Sequence, residues 1–257
     1  KPLAVPQLEA SFDWPIEIRN DDPEACPAFF AQAIRGVRNG HSPDWMQRRL
    51  KAVGQRPISA LVDITNYMTI GLGRPAHVYD LAKLDRQLGP RRAHENEKVL
   101  ALNGKEYVLD PSMTVIADAK EVHDIGGIMG GEHSGVTEAT TDVVLEIAYF
   151  EPGNIARTGQ KLGLTSDARS RFERGVDPAF LDDGLAILTG LIIDICGGES
   201  SKVVRAGQPP VERKTVRFDP ERAWALGGVK VPAGEQLGVL ESLGFELGGE
   251  TALVPAW

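Results

Sequence analysis

Cysteine is scarce, with two residues, Cys26 and Cys196, in 257. They form no CxxC pair and stand beside no histidine cluster, so a disulfide framework and a zinc ribbon are both without material. Cys196 closes the apolar run LIIDICGG and reads as a buried, reduced thiol. No stretch approaches the roughly 20 apolar residues that a membrane helix needs. The N-terminal KPLAVPQLEA lacks the apolar centre of a signal peptide. Together these absences predict a cytoplasmic protein without a membrane partner. Basic charge is also short: 28 Lys and Arg stand against 36 Asp and Glu, for a net −8. That balance argues against non-specific nucleic-acid binding as the main task. It leaves room for local basic clusters, at Arg48, Arg49 and Lys51 and at Arg91 and Arg92. Internal repeats and low-complexity tracts are missing.

What is present is ordinary globular material, 42% apolar and 25% charged. The length suits one large domain or two smaller ones. Residues 1–22 are polar and dotted with proline, and read as a linker from a preceding domain. CPAFFAQAIRGVR reads as a buried strand. In HSPDWMQRRLKAVG, Ser42 is the expected N-cap, Pro43 the first helical residue and Gly54 the stop. PISALVDITNYMTIGLG is a second apolar-faced helix, opening at Pro57. The middle is β-rich: VLALNGKEYVL places Asn103-Gly104 between two strand-like runs, a hairpin signal, and MTVIAD and DVVLEIAYF are further strands. Three helical segments follow, PGNIARTGQKLG, SDARSRFERG and PAFLDDGLAILTGLIIDICGG. After Gln208-Pro209-Pro210 the pattern changes, and TVRFDPERAWALGG, with Asp219 as N-cap and Pro220 first in the helix, begins a small second domain.

GGIMGGEHSG, residues 126–135, holds five glycines in ten positions. It is no P-loop, because Gly131 is followed by Glu132 and His133 rather than by Lys-Ser/Thr. It also lacks the strand-to-helix spacing of a dinucleotide fingerprint. Two readings remain on residues alone. The glycines either solve a backbone problem or form a wall of bare backbone against which a flat ligand can lie. Glu146 is similarly open. It stands among Val, Leu, Ile and Ala in DVVLEIAYF, either facing solvent or buried at a cost that only a partner offsets. No Gly-x-Ser-x-Gly elbow occurs.

RPISALVDITNYMTIGLGRPAHVYD, GGIMGGEHSG, LEIAYFEPGNIARTGQKLGLTSDARSRFERGVDP and IDICGGE together resemble the β subunit of bacterial phenylalanyl-tRNA synthetases. The resemblance runs from about Glu24 to Cys196 and covers that family's editing module. It implies an α+β fold with a β-rich, sandwich-like core and flanking helices over residues 23–207. A partial winged-helix-like domain would follow over 208–257. It also implies hydrolysis of tyrosine wrongly attached to the phenylalanine tRNA, through a positioned water. The family's pocket residues fall on Arg56, His77, Gly130, Glu146, Ser166 and Ala168. Ser166 departs from the family's threonine, keeping the hydroxyl and losing a methyl. His77 and Glu146 would carry the chemistry, His77 orienting the water or the tRNA terminus and Glu146 meeting the phenol of tyrosine. The implied partners are the 3′ end of tRNA(Phe) and a synthetase α subunit, in an assembly of two α and two β chains. ATP and magnesium belong to the whole synthetase, and no cofactor or metal is assigned to these residues. The rival reading is a non-catalytic module that holds tRNA or the partner subunit.

Overall fold

The computed structural model describes residues 4–256. Strand β1 (Glu17–Ile18) is short, and β2 (Ala28–Arg35) is buried along almost its whole length. Its sequence AFFAQAIR is a near-continuous apolar run, the pattern of a strand covered on both faces. Helices α1 (Asp44–Ala52) and α2 (Ala60–Gly71) lead into β3 (His77–Asp80). Then come β4 (Gln87–Arg92), the hairpin β5 (Glu97–Leu100) and β6 (Glu106–Leu109), β7 (Thr114–Ala117), β8 (Val122–Ile125) and β9 (Met129–Gly130). The long strand β10 (Asp142–Tyr149) precedes helices α3 (Pro152–Leu162), α4 (Asp167–Phe172) and α5 (Leu181–Cys196), with β11 (Glu199–Ser200) and β12 (Val204–Gly207) after them.

Two sheets dominate this part of the chain. One has the order β11-β2-β10-β3, with β12 also on β2, and the other β1-β4-β7-β8-β9. Alternation along β2 and β10 sends side chains to opposite faces of the first sheet. Ala28, Phe30, Ile34, Val143, Leu145 and Ile147 pack with Met46 of α1, Ile64 of α2 and Leu188 of α5. Phe29, Ala31, Val144, Ala148 and Tyr79 pack instead with Leu88, Val115, Ile116 and Ile125 of the second sheet. The molecule here is therefore three layers, helices on sheet on sheet. Each fully buried Leu, Ile or Phe in the two cores contributes about 1.5–3 kcal/mol by leaving water. Glu146 lies on β10 in phase with Val144 and Ala148, so it projects between the two sheets.

Several local expectations shift. α1 begins at Asp44, with Pro43 extended at the cap position and making no side-chain cap. Ser42 does not cap the helix, because its hydroxyl donates to the Asp63 carboxylate, which also accepts the Ile58 N–H at 2.8 Å. α2 accordingly starts after Ser59 rather than at Pro57. Residues expected as a free linker are packed over much of the described part. Ser11 N–H donates to Ser200 O at 2.9 Å, Trp14, Ile16 and Ile18 cover the core, and β1 pairs in parallel with β4. Only tertiary partners explain this, since the segment is locally polar.

A separate compact unit runs from Pro210 onward. It contains β13 (Thr215–Arg217), α6 (Glu221–Gly227), α7 (Ala233–Ser242), β14 (Glu246–Gly248) and β15 (Thr251–Leu253), with an antiparallel sheet in the order β13-β15-β14. Asp219 accepts the Glu221 N–H at 3.0 Å, while Pro220 occupies the cap position one residue before the helix. Among the described residues no helix is long and apolar enough to cross a membrane.

Candidate functional site

The edge of the first sheet builds one side of a cavity. In the antiparallel pair β3·β10, His77 stands directly opposite Glu146. Directly opposed residues share a face, with Cβ atoms about 4.5–5.5 Å apart. The second sheet supplies the facing wall from β8 and β9, where Asp124 pairs with Gly130. Between these walls lies a small chamber that opens to solvent. Its lining includes His77, Asp124, Gly130, Glu146, Ala168 and the ring of Phe150. A wider outer chamber, about 980 Å³, shares His77, Gly130 and Ala168 with it and adds Thr65, Asn66 and Ser166.

The glycines of residues 126–135 have distinct tasks. At Gly130 an added Cβ would come within 2.5 Å of His77 Cε1 and 2.9 Å of Leu102 Cδ1. The bare backbone there is the surface on which the imidazole lies. Gly127 has φ +68°, and a Cβ would meet Phe150 at 2.8 Å. Gly127 answers a backbone and packing need, and at Gly130 the bare backbone is covered by the protein's own His77 ring. No phosphate-cradling geometry is needed to account for either.

Glu146 is 7% exposed, and no hydrogen bond acts on its carboxyl, only burial and the charges of Asp124 and Arg74. Burial, then the nearby Asp124 carboxylate, push its carboxyl from the ordinary 4.5 up to about 8, against the opposing pull of Arg74. At neutral pH the group is therefore a neutral acid, able both to donate and to accept. His77 Nε2 is buried without a hydrogen bond, and the Asp124 carboxylate lies 3.7 Å from it. Asp124 is itself held tightly. It accepts the Tyr79 hydroxyl across the gap between the sheets, and the Gly131 N–H at 3.0 Å. Burial and the Asp124 charge keep the Tyr79 phenol well above its usual range, so Tyr79 remains the donor.

Ser166 caps α4, accepting the Arg169 N–H at 2.9 Å, and donates to Ile128 O at 2.6 Å. Its hydroxyl thereby ties α4 to the glycine wall. Ala168, the second residue of the same helix, faces both chambers. Arg56 is exposed and lines neither chamber. Its neighbour Gln55 bonds Asp167 at 2.9 Å, which places the loop beside the outer rim. The guanidinium that acts on Glu146 belongs to Arg74. Arg74 is 1% exposed, donates to Ala148 O at 3.1 Å and to Asp177 O, and is lowered by burial to about 10.

Sequence reasoning missed Asp124, Tyr79 and Arg74. A signal existed for Asp124, an acid in the short strand-like run VHDI directly before the glycine-rich stretch. Nothing local marked Arg74 as buried. Among the described residues no group of three or more His, Cys, Asp or Glu is arranged to hold a metal ion.

The chain is similar over its length to several curated proteins. It is 63% identical over 258 aligned residues to the phenylalanine–tRNA ligase beta subunit of Novosphingobium aromaticivorans, covering 100% of this chain and 32% of that protein. It is 51% identical to the corresponding subunit of Zymomonas mobilis, covering 96% and 31%. The chain thus spans about a third of the length of the curated relatives it matches. A solved N-terminal fragment of the phenylalanyl-tRNA synthetase beta subunit from Pyrococcus horikoshii covers 98% of this chain and 72% of its own, at 14% identity and a TM-score of 0.49, a likeness too weak to carry an argument. Residues 25–197, more than half of the chain, match the B3/4 domain, and the chain belongs to that family.

Proposed function

We propose that this chain is the editing module of a phenylalanine–tRNA ligase β subunit and hydrolyses tyrosine from mischarged tRNA(Phe). The observation that carries the proposal is Glu146, a buried carboxyl without a protein partner in a chamber shared with His77. A mainly apolar synthetic pocket rejects an added hydroxyl only by about 10²-fold. A second pocket that bonds that hydroxyl rejects the analogue lacking it by about 10⁴–10⁵. Tyrosine's phenol gives Glu146 the partner it lacks, whereas phenylalanine leaves it dry and unmatched.

An aminoacyl ester is already activated, so a positioned water suffices and no covalent intermediate is required. His77 orients that water, since an imidazole can exchange a proton near neutral pH. The inner chamber accepts the aromatic side chain. The outer chamber accepts the terminal nucleoside, with Ser166 and Ala168 on its wall. Arg56, exposed at the rim, meets the terminal phosphate. Only a single-stranded tRNA end enters, so the net −8 of the chain is no obstacle. The whole enzyme ligates phenylalanine to tRNA with ATP and magnesium in the cytoplasm, alongside an α subunit in a heterotetramer of two α and two β chains. The unit from Pro210 onward is winged-helix-like.

The test is hydrolysis of Tyr-tRNA(Phe) by the full synthetase carrying Glu146→Ala or His77→Ala. Loss of tyrosine clearance with phenylalanine charging intact supports editing. Unchanged clearance in both variants favours a non-catalytic tRNA- or subunit-binding module instead. Free tyrosine is also expected to bind beside Glu146 more tightly than phenylalanine, and equal affinity by calorimetry speaks against the selectivity argument.

A further inference from the structure

We infer that Asp124 is a positioning residue of the editing reaction, fixed by Tyr79 and Gly131 so that it orients His77 and faces Glu146 within one chamber. The inference rests on the editing reading above and adds a carboxylate to the site. The geometry is that of two carboxyl groups and one imidazole on a single chamber, contributed by both sheets. Glu146 and His77 come from β10 and β3, and Asp124 from β8 on the opposite wall.

The two carboxyl groups are treated unequally. Asp124 receives a phenolic O–H and a backbone N–H, while Glu146 receives no protein donor among the described residues. Two like charges repel in a shared buried site, and donors favour the ionised form of the group they reach, so Glu146, without one, is the member that keeps its proton. Besides Asp124, the guanidinium of Arg74 acts on Glu146, while the phenol of Tyr79 and the thiol of Cys26 lie close enough to feel the Glu146 charge. Arg74 alone among these opposes the effect of Asp124. Its guanidinium is engaged by two carbonyls, of Ala148 and Asp177.

His77 supplies the second half of the argument. A buried N–H without an acceptor costs about 1–3 kcal/mol. A carboxylate oxygen of Asp124 lies 3.7 Å from its orphaned Nε2. Such contacts are often long in an empty site and tighten around a substrate. With Nε2–H given to Asp124, the lone pair of Nδ1 is the one left for the attacking water. The proton passes from that water to Nδ1 as its oxygen bonds the ester carbonyl carbon. It passes on to the ribose oxygen as the carbon–oxygen ester bond breaks, leaving tyrosine and a free 3′ terminus. Asp124 touches neither water nor ester in these steps.

The experiment uses the full synthetase and tyrosine-charged tRNA(Phe), with Asp124→Asn and Tyr79→Phe beside the wild type. Asp124→Asn is expected to lower kcat for clearance by about tenfold or more, with KM changed by no more than about twofold. Tyr79→Phe, which removes one of the two donors holding the carboxylate, is expected to lower kcat by less. Carbon-13 titration of Glu146 reads the other role, and its midpoint should fall from about 8 in Asp124→Asn. An unchanged kcat, a loss confined to KM, or an unmoved Glu146 midpoint overturns the inference. Should Asp124→Asn not fold, wild-type kcat in Tyr79→Phe overturns it by itself. A wild-type enzyme that leaves tyrosine on the tRNA overturns the editing reading and the positioning role of Asp124 with it. That failure is distinct, because the Glu146 titration is read without any substrate.

Discussion

Replacing Glu146 with glutamine separates hydrogen bonding from charge. The carboxyl of Glu146 is pushed from 4.5 to about 8, by burial first and by Asp124 second. Between those two pH values the folded chain binds more protons than the unfolded one. The penalty for Glu146 is therefore absent below pH 4.5, grows as pH rises, and is complete above about 8. At about 1.4 kcal/mol for each pH step, the complete penalty is on the order of 4–5 kcal/mol. That figure is a ceiling, since water entering the chamber relieves part of it. Glutamine has no proton to lose. Urea denaturation near pH 5 and near pH 9 should show the variant gaining on the wild type by roughly 2–5 kcal/mol across that window. Activity supplies an independent reading. Near pH 7 a neutral acid and an amide both accept a phenolic hydrogen bond, each worth about 0.5–1.5 kcal/mol. Glu146→Gln should therefore keep tyrosine clearance within about tenfold of wild type. Glu146→Ala leaves the phenol unmatched, at about 1–3 kcal/mol, and should lose up to about a hundredfold. A stability gap that does not change with pH would refute the claim that this carboxyl is dry and unpaired.

Gly130→Ala drives a methyl group to within 2.5 Å of His77 Cε1. Tyrosine clearance should fall by about 10²-fold, the order expected when a reacting group is misplaced by about 1 Å, while calorimetry should show a stability loss of about 1–3 kcal/mol. Arg74→Met removes the donor to Ala148 O and Asp177 O and the charge that favours ionised Glu146. Denaturation should show a loss of about 1–3 kcal/mol for each carbonyl left without its donor, and carbon-13 titration should place Glu146 above about 8.

Much of the fold was legible because burial leaves period and punctuation in the sequence. AFFAQAIR and DVVLEIAY are strands with apolar residues on both faces, and both lie at the centre of the first sheet. Gly163 ends α3 in a left-handed conformation, as a glycine placed after a helix should. Helix starts were less legible. Ser42 carries the ordinary signature of a cap, but Asp63, 21 residues on, competes for its hydroxyl. The polar N-terminal segment looks unpacked until β4 and Ser200 supply its partners.

The sequence by itself determined that Glu146 is an acid in an apolar strand, that Gly130 carries no side chain, and that His77 follows a helix by a few residues. Strand period and composition are local properties, so they survive without coordinates. Only the tertiary structure decided that Glu146 turns inward, that the ring of His77 rests on Gly130, and that Asp124 and Arg74 act on the same carboxyl. Those relations depend on the register of β3 against β10 and on the stacking of two sheets. Both bring together residues distant in sequence, and no local pattern encodes which face of one strand meets which face of another.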